Sequence, residues 1–206
     1  MNGGLPPLLL GAGGRSSRMG RPKHALAYHG ASWLDWQLTR FRAAGGTRVH
    51  VVLPDGTAPP AVVPPGLQVD WLFQPDPAAP MSASLGLAAA AVLAEGWAAA
   101  WWLPVDVPAP GPDLWRDLWV NWQADVHQAA VPAAGGHPVL LGQGLLEQLA
   151  HAAPESGLRL DQLLRGLDPP EVLLRGSVRD ANCRLNLNTP AAWEDWLRGE
   201  AERERE

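Results

Sequence analysis

Cysteine is nearly absent from this chain: Cys183 stands alone among 206 residues. An intramolecular disulfide is thereby impossible, and a metal site built only from cysteines is untenable. The N-terminus has neither a basic leader nor an apolar run longer than Leu5 to Leu10, so a cytoplasmic location is expected. Cations are sparse and scattered outside one early loop, and the net charge is −5. Neither a nucleic acid nor an anionic membrane is the expected partner; a small anion held by a local basic patch is. The two best-known phosphate-loop patterns are missing as well. No glycine is followed four residues later by Gly-Lys-Ser/Thr, and a dinucleotide pattern begun at Gly11 and Gly13 would need its third glycine at Ser16.

What is present is a chain with 47% apolar residues, long enough for one well-buried core. The expected organisation is a single domain over residues 1–198 and a charged C-terminal tail over 199–206, whose alternating Glu and Arg suit a frayed helix end better than a binding element. Apolar runs at Leu8–Leu10, Val49–Leu53, Val69–Phe73, Ala98–Leu103, Val126–Val131 and Val172–Leu174 read as strands covered on both faces. Helical spacing separates them. Ser32 is the expected N-cap of a helix whose Leu34, Leu38 and Phe41 share a face; Ser82 or Ser84 would open Leu85–Leu93; Leu114, Leu118 and Trp122 form a third stripe. Helical crossovers between buried strands predict an α/β fold with a mainly parallel sheet. Pro54 to Pro65 reads as a surface loop, and the eleven tryptophans as compositional bias.

The first strand empties into Gly11-Ala12-Gly13-Gly14-Arg15-Ser16-Ser17-Arg18-Met19-Gly20-Arg21-Pro22-Lys23. Glycines let backbone N–H groups crowd toward an anion, and Arg15, Arg18, Arg21 and Lys23 place four cations within nine residues. Such a loop suits a polyphosphate. Further on, Asp106 ends a strand between Pro104 and Pro108. Ligands in open α/β sheets sit beyond the carboxyl ends of strands, so Asp106 should share a crevice with the loop and could hold a hard cation such as Mg²⁺. Its alternative, capping a helix near Pro112, leaves a six-residue gap. His137, in Gly135-Gly136-His137-Pro138-Val139, either contacts substrate or fills its turn. In Asn186-Leu187-Asn188-Thr189-Pro190 a short strand would place both asparagines on one side, with Thr189 capping a helix that starts at Pro190.

In this order the segments resemble the nucleotidyltransferases of molybdenum-cofactor maturation and the wider nucleotide-sugar pyrophosphorylase superfamily, over nearly the whole chain from Leu8 to Trp196. GAGGRSSRMGRPKHAL is very close to that family's LAAGxSxRMGxPKxLL, Val105-Asp106-Val107-Pro108 matches its metal-binding xDxP, and Met81-Ser82-Ala83-Ser84-Leu85 is similar to its GMxxSL segment beside the base. Gly136 to Leu140 resembles the cytidylyltransferase branch, whereas Asn186 to Pro190 resembles the guanylyltransferase branch. There are departures. Gly11 replaces a leucine, which would only lengthen the loop; Pro80 replaces a glycine before Met81, stiffening or blocking the base pocket; Asn188 stands for an aspartate.

The resemblance implies a Rossmann-like three-layer αβα fold and Mg²⁺-dependent transfer of an NMP from an NTP to a phosphorylated acceptor, with molybdopterin the favoured acceptor and pyrophosphate released. It implies nucleotide contacts from Ala12, Gly13, Gly14 and Ser84, triphosphate contacts from Arg18 and Lys23, a metal site at Asp106 and Asn188, and acceptor contact from His137. Arg18, Lys23 and Asp106 would carry catalysis. CTP is slightly favoured over GTP, because the cytidylyl-like segments lie nearer the base. A sugar- or polyol-phosphate nucleotidyltransferase is the rival among enzymes. A nucleotide-binding module without turnover, motivated by Pro80 and Asn188, is the rival outside them.

Overall fold

Leu8, Leu9 and Leu10 are all fully buried, although their side chains point to opposite faces of one strand. The reason is that strand's place. In the computed structural model, which describes residues 4–14, 16–59, 63–76, 78–123, 125–152, 158–167, 172–203 and 205, β1 (Leu8–Gly11) is the third strand of a seven-stranded sheet. On one side lie β4 (Arg48–Pro54) and then β5 (Gln68–Gln74); on the other come β6 (Ala99–Pro104), β8 (Val139–Gly142), β7 (Ala129–Val131) and β9 (Leu173–Arg175). β1, β4, β5 and β6 are parallel, β8 runs antiparallel to both its neighbours, and β7 and β9 are parallel to each other. The mainly parallel Rossmann-like sheet is thus the observed one.

Helices cover both faces. Leu8, Leu10, Val49, Val51, Trp101 and Leu103 join a core with α1 (Trp33–Ala43), α3 (Pro112–Asn121) and α6 (Pro190–Arg203). Leu9, Val52, Ala100, Trp102 and Leu141 join a second core with α2 (Met81–Ala94) and α4 (Gln143–His151), beside α5 (Leu160–Arg165). α1 starts where expected. Ser32 Oγ accepts from the Asp35 N–H at 3.1 Å while Asp35 returns the bond to the Ser32 N–H at 3.0 Å, a complete capping box. The two-residue strands β2 (Ala27–Tyr28) and β3 (Ala31–Ser32) form a hairpin just before it.

Several expectations are corrected. α2 begins at Met81 with Pro80 as its N-cap, not at Ser82 or Ser84. Trp122 follows α3 as its C-cap, and Val126 is exposed ahead of β7. β8, at Val139–Gly142, adds a strand beyond the expected ones. Residues 185–188 form no strand, although Asn186 and Asn188 flank the buried Leu187. α6 continues through Gly199 to Arg203, in keeping with the expected helix end. Six of the eleven tryptophans are buried in the core and the other five pack against it: Trp33 stacks on Trp36 at 4.7 Å and meets Trp193 and Trp196 edge-on at 4.9 and 5.0 Å, fastening α6 to α1. No helix among the described residues is long and apolar enough to cross a membrane.

Gly11 does not lengthen the loop. It is the last residue of β1, paired with Val52 and Pro104, and a Cβ built there would lie 2.3 Å from Cη2 of the buried Trp102. The indole fills the volume that a leucine at position 11 would claim. Gly11→Leu is therefore expected to cost about 1–3 kcal/mol by overpacking. Combined with Trp102→Val it should cost less than the sum of the two single changes, by about 1–3 kcal/mol. Denaturant unfolding of the four proteins in the cycle checks this.

Candidate active site

The glycine loop, the end of β6 and the segment before α6 meet beyond the carboxyl edge of the sheet, around a cleft of about 780 Å³ lined by Gly14, Arg18, Lys23, Asp106, His137 and Asn188 among others. Three polar atoms converge there. Lys23 Nζ donates to Asp106 Oδ2 at 3.0 Å and also to Asn188 Oδ1. Both ends of the ion pair are largely withdrawn from water, with side-chain exposures of 13% for Lys23 and 8% for Asp106. Two uncharged or anionic oxygens facing one ammonium form a donor set that a hard divalent cation could also use.

Each part has a local cause. Lys23 lies in a 3-10 turn, Lys23–Ala25, whose backbone N–H donates to Ser16 Oγ at 3.2 Å. Ser16 itself has φ 50°, in the left-handed region, and the buried Met19 anchors the turn by donating its N–H to the Ser16 carbonyl at 2.9 Å. The loop is thus shaped before any anion arrives. Asp106 is carried just past β6, where the Val105 N–H makes a last bond to the Gly11 carbonyl at 2.9 Å. Leu187 N–H donates to the Asp106 carbonyl at 2.8 Å, which brings the neighbouring Asn188 alongside.

The nucleotide-loop residues divide into different environments. Ala12 donates its N–H to the Val52 carbonyl at 2.9 Å, so that group is already paired. Gly13 and Gly14 N–H groups donate to no described residue. Ser84 is buried and packs beneath Gly13, where a Cβ would lie 2.7 Å from Ser84 Oγ; it supports the loop from below rather than lining the cleft. Arg18 is exposed at the rim and has no polar partner among the described residues. Arg15 lies outside the described residues.

His137 faces the cleft and also a larger adjoining cavity of about 880 Å³, walled by Leu85, Trp102, Val139, Leu160 and Leu164. Its N–H donates to the Cys183 carbonyl at 2.8 Å. Gly136 makes this approach possible: its φ is 90°, and a Cβ would lie 2.0 Å from the same carbonyl. Burial lowers the His137 pKa to about 4, although the Asp106 charge and a bond to the Trp102 backbone pull the other way. At neutral pH the ring is therefore uncharged, a hydrogen-bonding group rather than a counter-ion.

Two pairings carry no local mark in the sequence: Lys23 as the internal counter-ion of Asp106, and the Gln37 amide on the Val105 and Val107 carbonyls. A further group of potential ligands, His50, Asp70 and Glu95, lies at the opposite end of β4, far along the strand from the cleft. There the Arg48 guanidinium already bridges both carboxylates.

Residues 8–169 match the family model described as the MobA-like NTP transferase domain. The chain is 29% identical over 202 residues to the "Probable molybdenum cofactor guanylyltransferase" of Rhodopirellula baltica, covering 90% of each protein. In fold it is similar to Rv0371c of Mycobacterium tuberculosis solved in complex with manganese, with a TM-score of 0.66, 20% identity, and coverage of 94% of this chain and 97% of that one. It is likewise similar to molybdopterin-guanine dinucleotide biosynthesis protein A of Archaeoglobus fulgidus, with a TM-score of 0.65, 12% identity, and coverage of 95% and 99%. The matched segment holds the glycine loop, Lys23 and Asp106 in the order that builds the cleft: this chain belongs to the MobA-like NTP transferase family.

Proposed function

We propose that this nucleotidyltransferase moves GMP from GTP to the terminal phosphate of molybdopterin, releasing pyrophosphate. The carrying observation is the convergence of Lys23, Asp106 and Asn188 in a cleft beneath a glycine loop, at the carboxyl ends of β1 and β6. An oxygen of the acceptor phosphate attacks the α-phosphorus in line, and the bond to the pyrophosphate oxygen breaks. Such chemistry demands positioning and charge neutralisation, not a covalent nucleophile.

In this reading the N–H groups of Gly13 and Gly14 meet the nucleotide, with Ala12 and Ser84 holding the loop in place. Arg18 and Lys23 grip the triphosphate, and the flexible stem of Lys23 lets its ammonium swing from Asp106 toward an incoming phosphate. His137, neutral and shared between the two cavities, orients the acceptor by hydrogen bonding. The Asp106 carboxylate and the Asn188 amide oxygen would hold a divalent cation, with the Lys23 ammonium marking where positive charge is accommodated. When bound, that ion supplies further neutralisation of phosphate charge. Manganese in the structure of Rv0371c supports the class of ion, and Mg²⁺ is the proposed one.

Guanine is supported by the relative from Rhodopirellula baltica and by the resemblance of Asn186 to Pro190 to the guanylyl branch. Cytosine is the second reading, favoured by Met81 to Leu85 and Gly136 to Leu140. Pyrophosphate release measured with GTP, CTP, ATP and UTP, each against molybdopterin and a sugar 1-phosphate, separates these readings. GTP with molybdopterin is expected to exceed the other pairs by on the order of 10²-fold in kcat/KM, because a wrong base leaves buried polar groups unpaired. A similar preference for CTP would replace the guanine reading. Nucleotide binding with no release from any pair would leave a module without turnover.

A further inference from the structure

We propose that Gln37 is a positioning residue for nucleotidyl transfer: from the buried side of α1 its amide fixes the backbone on both sides of Asp106, and through Leu187 it sets where Asn188 stands. The proposal rests on the reading that Asp106 and Asn188 hold the divalent cation.

Gln37 sits among Leu34, Leu38 and Phe41 on the apolar face of α1 and is completely buried. A helix that only packed would place a leucine there. A buried primary amide offers two donors and an acceptor, and leaving any of them unpaired is costly. All three are used on a single target. Nε2 donates to the Val107 carbonyl at 2.8 Å and to the Val105 carbonyl at 3.3 Å, and Oε1 accepts from the Ala109 N–H at 2.6 Å. Trp33, one turn earlier, adds a bond from Nε1 to the Val105 carbonyl at 2.6 Å.

The segment needs this help. Past the Val105 N–H the β6 ladder ends, yet Val105, Val107 and Ala109 remain buried and their backbone groups have no strand beside them. Pro104 and Pro108 contribute no N–H of their own. α1 therefore takes the place of a neighbouring strand, and the carboxylate of Asp106 projects from a backbone clamped at 105, 107 and 109. The bond from the Leu187 N–H to the Asp106 carbonyl passes the same geometry to Asn188.

The experiment compares Gln37→Met, which keeps volume and removes all three bonds, with Leu149→Ala, a core truncation on the opposite face of the sheet. Three readouts are taken: melting temperature, Mn²⁺ affinity by EPR in the presence of a non-hydrolysable GTP analogue, and steady-state kinetics. Both variants should melt earlier than wild type. Gln37→Met alone should weaken Mn²⁺ binding and lower kcat, each by about 10- to 100-fold, as for groups that orient metal ligands, with the KM for nucleotide within about threefold of wild type. Mn²⁺ affinity and kcat in Gln37→Met no lower than in Leu149→Ala would overturn the proposal. If Gln37→Met does not fold, Gln37→Glu, which gives up at least one donor, carries the test, and wild-type Mn²⁺ affinity there overturns it equally. Asp106→Ala is run alongside. If it binds Mn²⁺ like wild type, the metal reading beneath the proposal fails; if it loses Mn²⁺ while Gln37→Met does not, only the role of Gln37 fails.

Discussion

Asp106→Ala is expected to lower kcat/KM by about 10³-fold or more, the equivalent of roughly 4 kcal/mol of transition-state stabilisation. A carboxylate just past a strand end would add little to stability if it were exposed. The side chain is instead 8% exposed and paired with Lys23 at 3.0 Å. Removing it strands a largely buried ammonium against Asn188 alone, and breaking such a pair costs on the order of 3 kcal/mol. Asp106→Ala should thus lose both activity and melting temperature. Asp106→Asn separates the two in part, since its amide oxygen still accepts from Lys23 but no longer neutralises it: it should melt between Asp106→Ala and wild type and remain inactive. Turnover and thermal unfolding of both variants, with wild type assayed in EDTA, provide the check. Wild-type turnover that survives EDTA leaves no cation for Asp106 to hold.

Lys23→Ala should forfeit roughly 2 to 4 kcal/mol of transition-state stabilisation, about 30- to 1,000-fold in kcat/KM, as expected for a preorganised charge donor in a partly dry cleft. The structure adds a consequence for stability. With Lys23 gone, Asp106 is a buried carboxylate without its counter-ion, so the variant should melt earlier than wild type in EDTA. A divalent cation should then raise its melting temperature more than it raises that of wild type, where the ion must first displace the ammonium. Unchanged turnover in folded Lys23→Ala protein would remove Lys23 from the triphosphate grip. Equal cation-induced shifts in both proteins would show that the ion and the ammonium do not share Asp106.

Much of the fold follows from patterns local in sequence. Leu8 to Leu10 reads as a strand covered on both faces, because this short run, bounded by prolines and glycines, leaves no polar face to expose. Ser32 marked the start of α1, since an N-cap is read from a hydroxyl residue just before the apolar stripe it opens. The glycine loop with its cations, and an acid just past a later strand, predicted a common crevice because parallel strands deliver their carboxyl ends to one edge.

Other features depended on partners distant along the chain. Val139 to Leu141 carries no mark of its antiparallel direction; that came from insertion between β6 and β7. Gly11 looked like loop until the Trp102 indole was found in its side-chain space. Trp193 and Trp196 looked like compositional bias until α6 packed them onto Trp33 of α1. Nothing local to Ala12 marks the Val52 carbonyl that takes its N–H.

The sequence by itself determined the central strands and α1, the class of fold and the identity of the charged groups, because periodicity, capping and glycine-rich turns act within a few residues. Only the tertiary structure decided which of those groups meet. Lys23 reaches Asp106 across 83 positions and Asn188 across 165, and Gln37 braces a segment about 70 positions away. Such pairings are fixed by strand order and helix packing, which act through space rather than along the chain.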